Sequence, residues 1–175
     1  MLSKLLVFLF LFSLAGCGPR SPEPYFEQLR DAREEVRVKA ANELLRYGKE
    51  VVPRLIHEST SGYIRVRFEV SRLLGRIGDP EAVPALVARL DDKSANVAKA
   101  AAWSLGNIGS ATALRALLRF TGDASKGVRQ QVIRSLGFCY NDSVTAALGD
   151  SVYQVIVLAL DDVAPKVRVS GLEAA

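Results

Sequence analysis

The sequence predicts an all-α protein, an α-solenoid of about five stacked helix pairs. A valine, followed in four of five cases by arginine, returns at intervals of 30, 31, 31 and 39 residues. Glycines then recur at matching distances behind these valines, and apolar residues between them follow the period of a helix. A fixed repeat of this length is typical of stacked units that contact only their neighbours. The valines that begin the repeat are Val36, Val66, Val97, Val128 and Val167.

The first sixteen residues precede the repeats and have the pattern of a secretory signal. Lys4 is followed by an apolar run from Leu5 to Phe12 and then by small residues. A bilayer requires about 20 apolar residues, so this run is too short to span one. We therefore expect residues 1–16 to be a signal peptide.

The end of this segment, Leu14-Ala15-Gly16-Cys17, resembles the lipobox of bacterial lipoproteins. The resemblance implies that Cys17 is lipidated and becomes the new N-terminus, and more than one acyl chain gives lasting attachment. Gly18 is not the aspartate that marks inner-membrane retention, so we expect an outer-membrane anchor facing the periplasm of the bacterial cell envelope. The alternative is an ordinary signal peptide with a chance cysteine.

Residues 17–24 form a proline-rich tether, and residues 25–175 form the repeat domain. The tether has three prolines in seven residues and spans about 20 Å if extended. Loss of residues 1–16 removes one lysine from a net charge of +4. The remaining positive excess is too small to indicate nucleic-acid binding.

Within the domain, each repeat is predicted to be a first helix, a turn and a second helix. The first helices are expected at 24–30, 51–59, 81–90, 111–120 and 144–160. The second helices are expected at 35–47, 63–77, 95–108, 126–140 and 165–175.

Residues typical of helix ends support these boundaries. Asp79 is a good N-cap, and Pro80 suits the first turn because its missing N–H would be unpaired there. Pro53 and Pro84 are expected to kink first helices. The glycines expected to end second helices are Gly48, Gly78 and Gly109.

The fourth repeat and the C-terminus depart from the pattern. Tyr140 replaces the terminal glycine, and the segment 141–151 adds about eight residues, either a surface bulge or a partner-specific feature. A solenoid needs a terminal unit with a polar outer face, which the residues before Ala175 do not supply. We expect the native chain to continue beyond Ala175; the alternative is a partner that covers this edge.

The unit V-R-x-x-x-x-x-x-L-G-x-I-G-D-P-x-A-V-P, read from Val66 to Pro84, resembles the HEAT repeat. It is similar to the short HEAT-like type also found in phycobilisome lyases. The resemblance implies a right-handed superhelix whose second helices line the concave side. It implies little about function, because this fold supports scaffolds, chaperone-like subunits and a few enzymes.

Aligning the second helices on their first valine, taken as offset zero, predicts their buried stripe. Offsets 0, 4, 8 and 11 lie within about 80° of arc and are apolar. Cys139 takes one of these core positions and is expected to be a buried apolar residue, not a nucleophile. With Cys17 acylated, no intramolecular disulfide is possible. The stripe is Val66, Val70, Leu74, Ile77, Val97, Ala101, Leu105, Ile108, Val128, Val132, Leu136 and Cys139.

Offsets 2, 6 and 9 point away from this stripe and are predicted to form an exposed concave strip. Offset 9 is Gly75, Gly106 and Gly137, expected to be a smooth floor. Tryptophan and arginine are enriched in binding hot spots. The hypothesis is a partner-binding face formed by Phe68, Arg72, Lys99, Trp103 and Arg134. The alternative is that the tryptophan covers a neighbouring helix and the arginines are solvated surface.

A row of arginines directly follows the repeat valines and is interpreted as structural. We expect them to bond to aspartates in the turns of nearby repeats, such as Asp91, Asp123 and Asp161. The arginines are Arg37, Arg67, Arg129 and Arg168.

Catalytic motifs are missing from the sequence. His57, the single histidine, stands next to Glu58 with no nucleophile motif beside it and is expected at the surface. There is no metal, phosphate-loop or hydrolase motif, so we expect no cofactor, no metal and no small-molecule substrate. The sequence favours a membrane-anchored, non-catalytic scaffold for a protein partner. The alternative is a lyase-like or chaperone-like subunit of the bilin lyase type. Nucleic-acid binding, as in HEAT-like DNA glycosylases, is disfavoured by the expected location in the cell envelope and by the small net positive charge.

Overall fold

The computed structural model describes residues 21–122 and 125–138, which form four helix pairs and no strand. The first helices are α1 (Glu23–Gln28), α3 (Val52–Glu58), α5 (Val83–Leu90) and α7 (Ala111–Arg119). The second helices are α2 (Glu34–Tyr47), α4 (Ile64–Ile77), α6 (Ala95–Ile108) and α8 (Lys126–Phe138). Short 3₁₀ turns at Gly48–Val51 and Pro80–Ala82 lead into α3 and α5.

The all-α solenoid is confirmed, and the predicted helix boundaries that fall within the described residues lie within two residues of the observed ones. The fifth helix pair, the inserted segment 141–151, Cys139 and residues 1–20 lie outside the described residues. The predictions made for them stay predictions.

The predicted ends of the second helices are confirmed. Gly78 and Gly109 adopt φ values of 74° and 60°, and their N–H groups donate to the carbonyls of Leu74 and Leu105. This left-handed conformation favours glycine because it has no Cβ. Asp79 then accepts a 3.0 Å hydrogen bond from the Glu81 N–H and caps the short 3₁₀ turn.

The kinks predicted at Pro53 and Pro84 are wrong. Both prolines lie in the first turn of their helices, because the preceding residues form 3₁₀ turns and the α-helices begin only at Val52 and Val83. An N–H in the first turn has no partner within the helix, so proline removes no hydrogen bond there.

The hydrophobic core lies between the two layers of helices. The predicted stripe is buried at its centre: Val70, Leu74, Ala101 and Leu105 have no solvent exposure. Ile77 and Ile108 are only partly buried, because each is the last residue of its helix and lies at the edge of the core. First helices contribute apolar residues to the same core, among them Leu55, Leu86, Leu90, Leu114 and Leu117.

Second helices also pack side by side, and here the prediction of an exposed glycine floor is wrong. Gly75 and Gly106 are buried. A Cβ on Gly75 would stand 2.6 Å from the Cα of Ser104, and one on Gly106 would stand 2.7 Å from the Cβ of Ser135. These glycines therefore let α4, α6 and α8 approach closely. We call these two glycine–serine contacts the seam.

The seam is also hydrogen-bonded. The buried Ser104 Oγ donates to the carbonyl oxygen of Ser71 at 2.7 Å, which ties α6 to α4. The two central second helices, α4 and α6, are thus each covered on three sides, by the core below and by a neighbouring second helix on each flank.

Arg67 has the structural role predicted for the row of arginines, but it bonds to a different aspartate from the one predicted. Arg67 donates to both carboxylate oxygens of Asp92, at 2.7 and 2.9 Å, and to the carbonyl oxygen of Ser61. Asp92 is the partner because its side chain points inward, whereas Asp91 is exposed. Arg37 instead donates to the carbonyl oxygens of Asp31 and Ala32.

A second buried ion pair was not predicted. The Glu58 carboxylate is 95% covered and accepts from Arg30 at 2.7 Å, with Arg54 at 3.2 Å. His57, next to it, is exposed as predicted. Arg30–Glu58 joins the first repeat to the second, and Arg67–Asp92 joins the second to the third. Nothing in the sequence distinguished Glu58 from the surface glutamates.

Candidate functional site

A groove of about 890 Å³ runs across the second helices of all four described repeats. Every lining residue belongs to α2, α4, α6 or α8, so the groove lies entirely on second helices. The lining residues are Glu34, Arg37, Ile64, Arg65, Phe68, Glu69, Arg72, Asn96, Lys99, Ala100, Trp103 and Gln131.

The groove brings together four of the five residues proposed from the sequence. Phe68 and Arg72 line it from α4, and Lys99 and Trp103 occupy the same two offsets on α6. Arg134 is not among the lining residues; α8 contributes Gln131 instead. Trp103 is partly exposed and faces the groove.

Arg72 is held at the centre of the groove by two neighbours on its own helix. Its guanidinium carbon lies 5.7 Å from the centroid of the Phe68 ring, a cation–π geometry. Its Nη1 is 3.8 Å from a carboxylate oxygen of Glu69, one turn earlier. The side chain is still 48% exposed, so it is oriented but available to a ligand.

Helix periodicity alone located only part of this surface, because it placed the exposed strip at offsets 2, 6 and 9. On α4 and α6 the open arc lies at offsets −2, −1, 2, 3 and 6, whereas offset 9 is buried in the seam. Arg65 and Asn96 share offset −1, and Glu69 and Gln131 share offset 3. These polar columns were a readable signal. The glycines at offset 9 were taken for exposed surface instead, because a small residue can indicate either an exposed position or a close contact between helices.

Two cations in the groove have no ion-pair partner within the described part of the chain. Arg65 is exposed at the first turn of α4, and Lys99 is half-exposed on α6. Of the other charged lining residues, Arg72 is near Glu69, Arg37 is bonded to backbone carbonyls, and Glu34 is exposed at the start of α2. The groove therefore has four cationic and two anionic side chains.

A smaller hollow of about 170 Å³ adjoins the groove between α2 and α4. Arg72 and Glu69 border both spaces. The hollow has apolar walls from Val38, which is 47% exposed, and from Ala41 and Leu73.

Residues 21–122 and 125–138 contain neither a cluster of metal ligands nor a membrane-spanning helix. No three side chains of His, Cys, Asp or Glu are placed to hold a metal ion. None of the described helices has the length and apolar character needed to cross a bilayer.

The family profile of HEAT repeats matches residues 22–99 and 87–168, which is most of the chain. The chain belongs to the HEAT repeat family. No curated protein sequence matches it.

Solved structures of helical repeat proteins resemble this HEAT repeat chain. The complex of CpcE and CpcF of phycocyanin lyase from Nostoc has a TM-score of 0.78 at 22% identity, covering 87% of this chain and 96% of that chain. A designed armadillo repeat protein in complex with the peptide (KR)4 has a TM-score of 0.59 at 21% identity, covering 89% and 80%. Human deoxyhypusine hydroxylase has a TM-score of 0.61 at 27% identity, covering 70% of this chain but only 44% of that chain.

Proposed function

We propose that this HEAT repeat protein is a non-catalytic scaffold, lipid-anchored in the bacterial cell envelope, that holds a segment of a partner protein in the groove. The observation that carries the proposal is the placement of Phe68, Arg72, Lys99 and Trp103 in one groove across adjacent repeats. Aromatic and arginine side chains dominate the energetics of protein interfaces.

The composition of the groove favours a protein segment over a small molecule. Pockets for small molecules are lined mostly by apolar side chains, whereas eight of the twelve lining residues here are polar or charged. The comparisons are consistent with this proposal: one neighbour is a complex of two proteins and another is a complex with a peptide.

The alternative function is a lyase-like or chaperone-like subunit that acts on another protein. The specific observation in its favour is the similarity in fold to a phycocyanin lyase complex. A bilin lyase would bind a tetrapyrrole, so a visible absorbance change on mixing the purified chain with bilin would favour this alternative.

For the scaffold, we expect the pair Arg72→Glu and Trp103→Ala to weaken partner binding about 30-fold or more, because loss of a hot spot costs about 2 kcal/mol or more. The partner is first identified with a photo-crosslinking amino acid placed at Asn96 in the groove of the full chain, in cells. Its affinity for the purified wild type and variant is then measured by titration.

The matched controls lie on α7, away from the groove. Arg115→Glu makes the same charge change at an exposed arginine and should leave affinity unchanged. A crosslinker at the exposed Thr112 should not capture the same partner. If the groove variant binds as tightly as Arg115→Glu while circular dichroism shows equal helicity, the groove is not the binding site.

The lipid anchor is tested separately. We expect the wild-type chain to incorporate labelled fatty acid and to fractionate with membranes, and Cys17→Ser to do neither, because the acylated sulfur is lost. Cys139→Ser is the matched control and should keep both properties. Persistent labelling of the Cys17→Ser chain, or an unlabelled wild type, would contradict the anchor.

A further inference from the structure

We propose that the partner segment held in the groove is acidic, an extended stretch whose groove-facing side chains alternate between carboxylate and apolar. This inference rests on the proposed function and adds the chemistry of the occupant. It is carried by the cations of the groove: Arg65 and Lys99, which have no carboxylate partner in residues 21–122 and 125–138, and the oriented Arg72.

The charges of the groove are distributed unevenly along it. The cations Arg65, Arg72 and Lys99 lie on α4 and α6, at its centre. Of the two carboxylates, Glu69 is mostly covered and lies near Arg72, while Glu34 stands on α2 at one end. A segment that crosses the centre therefore meets a positive surface, and its carboxylates complement that surface.

Aromatic and cationic side chains alternate between the two central helices. At offset 2, Phe68 on α4 is matched by Lys99 on α6; at offset 6, Arg72 on α4 is matched by Trp103 on α6. The exposed Ile64 adds an apolar contact at the start of α4. A ligand that presents only carboxylates would leave the rings uncovered, and one that is only apolar would leave the cations unpaired. The alternation thus selects a mixed acidic and apolar segment.

The dimensions suit an extended chain. Packed helices lie about 8–10 Å apart, so four second helices span about 25–30 Å. An extended segment covers this length in about eight or nine residues at about 3.3 Å each, with alternate side chains facing the groove.

The probes for the test are three nine-residue peptides, X-Ser-Leu-Ser-X-Ser-Leu-Ser-X, in which X is Glu, Gln or Lys, so that the side chains on one face of the extended peptide alternate between X and Leu. Each is titrated into the full chain in a nonionic detergent. At about 50 mM salt we expect the Glu peptide to bind about tenfold more tightly than the Gln peptide, with the difference shrinking at about 500 mM salt. The Lys peptide should bind most weakly.

Charge reversal assigns the preference to the groove. Arg65→Glu with Lys99→Glu should abolish the advantage of the Glu peptide and make the Lys peptide the better ligand. The matched control, Arg115→Glu with Arg119→Glu, changes charge equally on the exposed surface of α7 and should preserve the wild-type order.

Several outcomes would overturn the inference. These are equal behaviour of the Glu and Gln peptides, whether both bind or neither does, and an advantage of the Glu peptide that survives reversal in the groove. Binding of phosphatidylglycerol vesicles through Arg65 and Lys99 without a peptide preference would instead identify an anionic membrane as the ligand. None of these results affects capture of a partner by the crosslinker at Asn96, so failure of the inference is distinguishable from failure of the scaffold.

Discussion

Replacing Arg67 with methionine is expected to lower the free energy of unfolding by about 3–5 kcal/mol. Removing one member of a buried ion pair leaves the other charge without compensation. Asp92 is the charge left behind: its side chain is 97% covered and receives two hydrogen bonds from Arg67. Arg89 remains 3.5 Å away, so we expect a loss toward the lower end of this range.

Urea unfolding of the full chain in detergent measures this loss. Arg65→Met is the matched control, the same substitution two residues earlier on α4 at an exposed arginine without an ion pair, and it should change stability by less than about 0.5 kcal/mol. Equal effects of the two substitutions would show that the Arg67–Asp92 pair does not stabilise the fold.

The Arg67–Asp92 ion pair also predicts how the free energy of unfolding depends on pH. The hydrogen bonds from Arg67 hold the pKa of Asp92 below its ordinary value, and its burial opposes them in part. Because the folded pKa is lowered, the stabilisation is present above about pH 4 and is lost as pH falls through the folded pKa. The difference between wild type and Arg67→Met should therefore be largest at neutral pH and narrow as the pH falls below about 4. A difference that stays constant would mean that Asp92 is not the titrating group.

Replacing Gly75 with alanine is expected to destabilise the protein by about 1–3 kcal/mol. In an exposed helix the same change would stabilise by up to about 1 kcal/mol, because alanine is the better helix former. Here the new methyl group would meet the Cα of Ser104 at 2.6 Å. Backbone cannot move aside as a side-chain tip can, so α4 and α6 must separate and their packing is lost.

Gly62→Ala is the control for this substitution. Gly62 lies in the loop before α4, and a Cβ there would meet nothing within 4 Å. It should be neutral or mildly stabilising, because alanine restricts the unfolded chain. Comparable urea midpoints for Gly75→Ala and wild type would show that the seam tolerates a wider spacing.

The fold was predictable because its signals are local and repeated. The spacing from Val66 to Val97 and the apolar column of each second helix recur along the chain, and the glycine at position 78 recurs in the first three repeats. An ion pair between Arg67 and a turn aspartate was predicted, but it was assigned to Asp91 and not to Asp92. The sequence does not show which of two adjacent turn residues points inward. Glu58 was missed because its partner Arg30 is 28 residues away and no motif links them.

The groove was predicted in part. Large or charged residues on the side of a helix opposite its apolar stripe must lie at a surface. This rule identified Phe68, Arg72, Lys99 and Trp103. Gly75 was predicted to be exposed and Arg65 was overlooked for the same reason. Whether the flank of a helix is buried or exposed depends on the neighbouring helices, and the sequence of one helix does not show where those neighbours lie.

The separation of the seam from the groove has an evolutionary consequence. The glycine–serine contacts that set helix spacing use offsets 7 and 9, while on α4 and α6 the groove uses offsets −2, −1, 2, 3 and 6. Substitutions that change what the groove recognises therefore need not disturb how the repeats stack. A lineage could therefore change the surface chemistry of the groove by point mutation within a single repeat while the stacked helices keep their spacing.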